Sequence, residues 1–303
     1  MKRYILLLLI AGGLLAGCFN EDDIHVDEQS YKRKYDTTSS DPVWKYVSEY
    51  YYKYGKLLIT DPDSSDYLFN FQWKNTVWLK MPDQNQEHLL AGIKFFEEMF
   101  SNSFTDEFKK ENFPYSIILA DSVVFTGGFS SAKWDPRTIY PVETQIFFLI
   151  SERTLNMSES EKQDLSFSWL MKFLVDYCTD IRGKGLNIDD AFYSTSKEYY
   201  GRYKDPDAVL PKEEWYKRGF LAISDSGYYS GWGWSDPYWY TDFPSYPDTD
   251  LSLFLKTMCT MDHDELLQIV NEYPKVSIRY NCVKNALEKI GIDYRNMGYK
   301  AKN

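Results

Sequence analysis

Histidine is scarce in this chain: only His25, His88 and His263 occur among 303 residues. No two of them are four apart, so no helix can present the HExxH pair that shares a zinc ion while the glutamate activates water. A Ser/His or Cys/His couple would have to draw on one of these three, and none has local support. Glycine-rich signatures are missing as well. No GxxxxGK[ST] or GxGxxG pattern occurs, which leaves Gly127 and Gly128 as a turn rather than a phosphate cradle. GxSxG is absent too, since the serine of GYYSG, Gly227 to Gly231, falls one place too late for a nucleophile elbow. Positive charge is short: 34 Lys and Arg stand against 45 Asp and Glu, a net charge of −11, with no basic stripe. Phosphate repels such a surface, which excludes nucleic acid as a partner. A pair of catalytic carboxylates stays open, because acids are plentiful and two partners can lie far apart in sequence.

The most specific motif present is at the start. MKRYILLLLIAGGLLAGC carries a basic pair at Lys2 and Arg3, an apolar run too short for a membrane span, and a lipobox at Leu15, Ala16, Gly17 and Cys18. Residues 1–17 are therefore expected to be a lipoprotein signal peptide and Cys18 the lipidated mature N-terminus, anchored in the outer membrane. Glu21, Asp22 and Asp23 follow at once and resemble the surface-export signal of Bacteroidetes lipoproteins. Residues 18–40 lack apolar periodicity and read as a flexible tether, which leaves 41–303 as the folded domain. Removing 1–17 takes away Lys2 and Arg3 and no acid, which moves the net charge from −11 to −13. Beyond Cys18 the cysteines are Cys178, Cys259 and Cys282. The sequence leaves open whether Cys259 and Cys282 pair or simply pack.

Within the domain, Asp41 and Pro42 open a helix with Val43, Tyr46, Val47, Tyr50 and Tyr54 at helical spacing, and Gly55 ends it. Lys56 to Thr60, Tyr115 to Ala120 and Thr144 to Ile150 read as strands. Leu89, Ile93, Phe96 and Phe100 mark a second amphipathic helix, with His88 at its boundary. Asp61, Asp63 and Asp66 hint at calcium, but Asp66 and Gln72 stand where an EF-hand loop needs Gly and Glu, so a turn is the better reading. After the middle of the chain, 187–200 and 212–223 read as helices, and 250–290 as two or three more, closed by Gly291.

The domain is organised around SESEKQDLSFSWLMKFLVDYCTDI, Ser158 to Ile181. Leu170, Phe173, Leu174 and Tyr177 fall at i, i+3, i+4 and i+7, with Lys172 and Asp176 opposite, the pattern of a helix with one buried stripe. Ser158 with Glu161 forms a capping box, and Gly183 marks the end. Around this helix, VWKYVSEYYYKYGKLLIT, FKKENFPYSIILADS, KRGFLAIS, DTDLSLFLKTM and YNCVKNALEKIGIDYRN occur in an order and spacing that resemble the zinc metallohydrolase lipoproteins accompanying outer-membrane nutrient-import systems of Bacteroidetes-type bacteria. That resemblance implies an α+β, zincin-like metallopeptidase-type domain, with a few strands in the N-terminal half and a mainly helical C-terminal half. The same register puts Trp169 and Phe173 at the family's histidine positions, Leu170 at its glutamate and Leu253 at its third ligand. None offers a lone pair to zinc, so the resemblance implies a degenerate member without cofactor or catalysis, its vacated site refilled as core.

Composition changes from Gly227 to Tyr246, GYYSGWGWSDPYWYTDFPSY, where rings crowd among Gly, Ser and Pro. One reading is a loop that folds under to cover the core. The other is a groove in which Trp232, Trp234, Tyr238 and Trp239 hold sugar rings or an extended peptide. Three functions from different classes follow. The first is a surface-anchored, non-catalytic binding or accessory component of nutrient import, partnered by import-receptor proteins. The second is a glycan-binding lipoprotein using the aromatic loop, and the third a hydrolase using unidentified carboxylates.

Overall fold

The structure, a computed structural model, describes residues 34–67, 76–127, 130–133, 140–142, 145–181, 186–200, 211–223 and 247–300. Cys18 and the Gly227–Tyr246 aromatic segment lie outside these residues, as does Gly183. The elements below all belong to one compact unit, Thr37–Asn303.

Helix α1, Pro42–Tyr54, starts where the sequence marks it. The Asp41 carboxylate accepts from the N–H groups of Val43 and Trp44, and Pro42 occupies a position whose N–H no helix would use. Gly55 closes it at φ 68°, a left-handed conformation in which glycine avoids the Cβ penalty. Strand β1, Leu57–Ile59, leads to a short helix α2, Ser64–Tyr67. The acidic turn between them is consumed locally: Asp63 accepts from the Ser65 N–H and hydroxyl, and Asp66 accepts from the Asp63 N–H. Then come β2 (Thr76–Lys80), α3 (Gln86–Met99), α4 (Asp106–Asn112), β3 (Ser116–Ala120), β4 (Ser122–Gly127), β5 (Ser130–Lys133), β6 (Tyr140–Val142) and β7 (Gln145–Leu149).

The strands form two sheets rather than one. The first has the order β1-β3-β7-β6, with β1, β3 and β7 parallel and β6 antiparallel at the edge; the second, β2-β4-β5, is antiparallel throughout. Every residue of β3 and β7 is buried, as expected of parallel strands covered on both faces. The chain changes sheets at Asp121, whose N–H donates to the Lys80 carbonyl while its carboxylate meets Lys80 Nζ at 3.1 Å. Ile59, Ile118, Phe147 and Leu149 of the first sheet then share a cluster with Val123 of the second and Tyr67 of α2.

After α5 (Glu152–Leu155) the central helix α6 runs from Glu159 to Met171 with both halves of the capping box formed. It then widens into a π-helix, Lys172–Ile181. Burial is not a single stripe. Leu165, Phe167, Trp169, Leu170, Met171, Phe173, Leu174, Val175, Tyr177 and Cys178 are all buried, because α3 and β6 pack on this helix together with a later helix, α9 (Pro247–Thr260). A helix enclosed on several sides needs no polar face, so periodicity alone understated its burial. Before α9 lie the short α7 (Asp190–Ser194) and α8 (Lys212–Lys217), much less helix than 187–200 and 212–223 were expected to supply. Helices α10 (His263–Glu272) and α11 (Pro274–Lys289) complete the set. All described strands precede Ile150 and the described regular structure after it is helical, the expected α+β arrangement. Among the described residues no helix is long and apolar enough to cross a membrane.

Candidate functional site

Trp169 and Phe173, the central-helix positions to which the resemblance would assign zinc-binding histidines, are enclosed by rings. Trp169 has no exposed surface and packs edge-on against Phe95 and Phe148, with centroids 6.0 and 4.9 Å away. Phe173, equally buried, meets Phe100, Phe104 and Phe113 at 5.1 to 5.5 Å and stacks on Tyr177. Phe100 and Phe148, 4.7 Å apart, join the two halves into one aromatic cluster. Leu170 is fully buried as well. Leu253 differs. It is half-buried on α9, whose inward row is Leu251, Phe254, Leu255 and Met258. Among the described residues no group of three or more His, Cys, Asp and Glu is placed to hold a metal ion. Trp232, Trp234, Tyr238 and Trp239 lie outside the described residues.

Sequence reasoning missed a buried ion pair near the start of α9. Arg279 of α11 donates to the Asp250 carboxylate, and both side chains are essentially without exposure. Tyr200 donates to the same carboxylate at 2.7 Å, and the other arm of Arg279 donates to the Gly219 carbonyl at 2.7 Å. The guanidinium lies over the rings of Phe192, Phe254 and Phe220 at 4.0, 4.9 and 5.0 Å. Burial pushes the Asp250 carboxyl up and the Arg279 guanidinium down, and their mutual attraction opposes both shifts. The Gly-Phe step of KRGFLAIS thus has a physical role. Gly219, at φ 92°, supplies the carbonyl and leaves no room for a Cβ beside Ser196 Oγ, while Phe220 supplies a ring.

A second unforeseen feature is a cleft of about 540 Å³ between α10, α11 and the turn after Gly291. His263, the first residue of α10, is half-buried there, with its Nδ1 3.4 Å from the Tyr294 hydroxyl. Tyr294 in turn hydrogen-bonds the Tyr280 hydroxyl at 3.0 Å. Arg295 grips Asp293 through Nε and Nη2, at 2.7 to 3.1 Å, and Lys284 faces Glu288 at 3.6 Å. Burial, followed by the Tyr280 hydrogen bond, pushes the Tyr294 phenol above its ordinary range, so it stays a neutral donor and acceptor. Arg295 holds the Asp293 carboxyl below the usual carboxylate range. No local sequence pattern marks this cleft, since its groups meet only through helix packing.

The other candidates resolve into structure. His88 Nε2 lies 3.2 Å from the Ile150 carbonyl, tying α3 to the end of β7. Cys259 and Cys282 do not pair, and Cys178 is buried. Burial pushes the Cys259 thiol up to about 12, which makes it a packing group rather than a nucleophile. No protein-family model, curated protein or solved structure matches the chain.

Proposed function

We propose that residues 41–303 form a zincin-like, metallopeptidase-type domain without zinc ligands. On this reading it serves as a non-catalytic binding or accessory component of an outer-membrane nutrient-import system. The observation that carries it is the aromatic seal: Trp169 and Phe173, four apart on the central helix where the resembled family needs histidines, are fully buried and locked ring to ring. A side chain with no lone pair, inside a cluster with no exposed surface, can neither hold zinc nor meet substrate. In this reading Cys18 carries the lipid, residues 18–40 tether the domain outside the cell, and the partners are import-receptor proteins and a captured glycan or peptide. The ring-rich composition of Gly227–Tyr246 supports capture as the retained activity, with Trp232, Trp234, Tyr238 and Trp239 as the contact residues.

Whole-cell proteolysis tests the placement. The wild type should be degraded by added protease in intact cells, and Cys18→Ser should give an unprocessed or unanchored species. Full protection in intact cells, with degradation only after permeabilisation, would put the protein on the inner leaflet and break the link to capture outside.

A further inference from the structure

The 540 Å³ cleft between α10, α11 and the turn after Gly291 is large enough for a small ligand, within the range of about 300 to 1,000 Å³ typical of such pockets. Its charges are balanced. Arg295 is held by Asp293 in a two-armed contact and Lys284 faces Glu288, so each cation on the wall already has its own carboxylate. A phosphate, sulfate or carboxylate ligand would therefore meet no unbalanced cation among the described residues of this wall, and an organic cation no unbalanced carboxylate. What the wall still offers is hydrogen bonding. A guanidinium has five N–H groups in a fixed fork, and Asp293 takes up only part of that fork. Tyr280, Tyr294 and His263 form a chain with contacts of 3.0 and 3.4 Å; their three polar hydrogens fill these two contacts and leave one donor at an end of the chain, the Tyr280 hydroxyl or the His263 Nε2–H according to the imidazole tautomer.

We propose that this cleft binds an uncharged, hydroxyl-rich ligand, one or two sugar units of a neutral glycan, through the paired Asp293–Arg295 side chains and the Tyr280–Tyr294–His263 hydroxyl chain. Vicinal hydroxyls of a pyranose present two acceptors side by side, which match the guanidinium N–H groups that Asp293 leaves open, the Asp293 carboxylate itself being taken up by Arg295 and by the Asn296 amide. Leu267 and Ile292 supply apolar wall for the C–H face of the ring. An extended peptide fits less well, because it calls for a free sheet edge or a row of apolar pockets, and among the described residues neither borders this cleft. The inference rests on the reading of the protein as a capture component, and it adds a contact site separate in sequence from Gly227–Tyr246.

The test is calorimetric titration of the full chain in detergent with maltopentaose, cellopentaose, xylopentaose and mannopentaose, and with a heparin tetrasaccharide as the charged control. At least one uncharged pentasaccharide should bind. Tyr294→Phe and Arg295→Gln should each weaken that binding by about tenfold or more, as loss of a charge-assisted or buried hydrogen bond does. Arg295 is exposed, so Arg295→Gln keeps the test open if Tyr294→Phe fails to fold. The proposal is overturned if no pentasaccharide binds at millimolar concentration, if only the heparin fragment binds, or if binding survives both cleft variants. Zinc content read on the same samples separates the two ideas: stoichiometric zinc would defeat the proposed function while leaving the sugar result to stand.

Discussion

Phe173 touches five other rings and keeps no exposed surface of its own, so its environment cannot relax far when it is truncated. Phe173→Ala should cost about 3 to 5 kcal/mol, read from chemical denaturation. The triple change Trp169→His, Leu170→Glu and Phe173→His would restore the letters of the zinc motif, yet it places polar groups in a sealed cluster. It should lower the melting temperature and give no hydrolysis; a stable, zinc-loaded product would show that the cluster is not a fixed core. Arg279 makes the opposite case, a charge already buried and fully dependent on its partners. Arg279→Ala should destabilise by about 3 to 5 kcal/mol, because Asp250 is left charged and enclosed, whereas removing both charges by Arg279→Met with Asp250→Leu should recover most of the loss. A double-mutant cycle with no coupling between these positions would contradict this account.

Among elements, the close approach of α3 to the end of β7 is the contact most exposed to test. A Cβ built on Gly92 would collide with Ile150 Cδ1 and lie 3.3 Å from Ile150 Cβ. Helix propensity favours alanine over glycine by about 1 kcal/mol, so on local grounds Gly92→Ala should stabilise. The packing argument predicts the reverse, a lower melting temperature, with partial recovery when Ile150→Val removes the colliding methyl. A rise in melting temperature for Gly92→Ala alone would show that Ile150 yields easily. What was legible in the sequence follows the same division between local and non-local causes. Asp41, Pro42, Gly55, Ser158, Glu161 and Gly291 mark element ends through chemistry within a few residues, and all stand where expected. The strands β1, β3 and β7 were legible because buried parallel strands are continuous apolar runs. The second sheet was not, because its pairing depends on β2 meeting β4 across a long sequence separation. The π-helix escaped because its i→i+5 bonding leaves no mark on an i, i+3, i+4 pattern. For the candidate site, the apolar filling of Trp169, Leu170 and Phe173 was legible from residue type. The Asp250–Arg279 pair and the His263–Tyr294–Tyr280 chain were not, since each joins residues from different helices or turns.

For the molecule as a whole, the proposal joins a net charge of −11, a lipobox cysteine and a central helix whose Trp169, Leu170 and Phe173 are closed into the core. On the proposed reading the domain works by holding a ligand rather than cutting one. A zinc enzyme of the resembled kind would keep its metal through purification, because three protein ligands bind it tightly. The most direct measurement is therefore the zinc content of the full chain, purified without chelator from zinc-supplemented cells and read by elemental mass spectrometry. The account predicts zinc far below stoichiometric, unchanged by Trp169→Ala; one zinc per chain, lost when His88 or His263 is replaced, would contradict it.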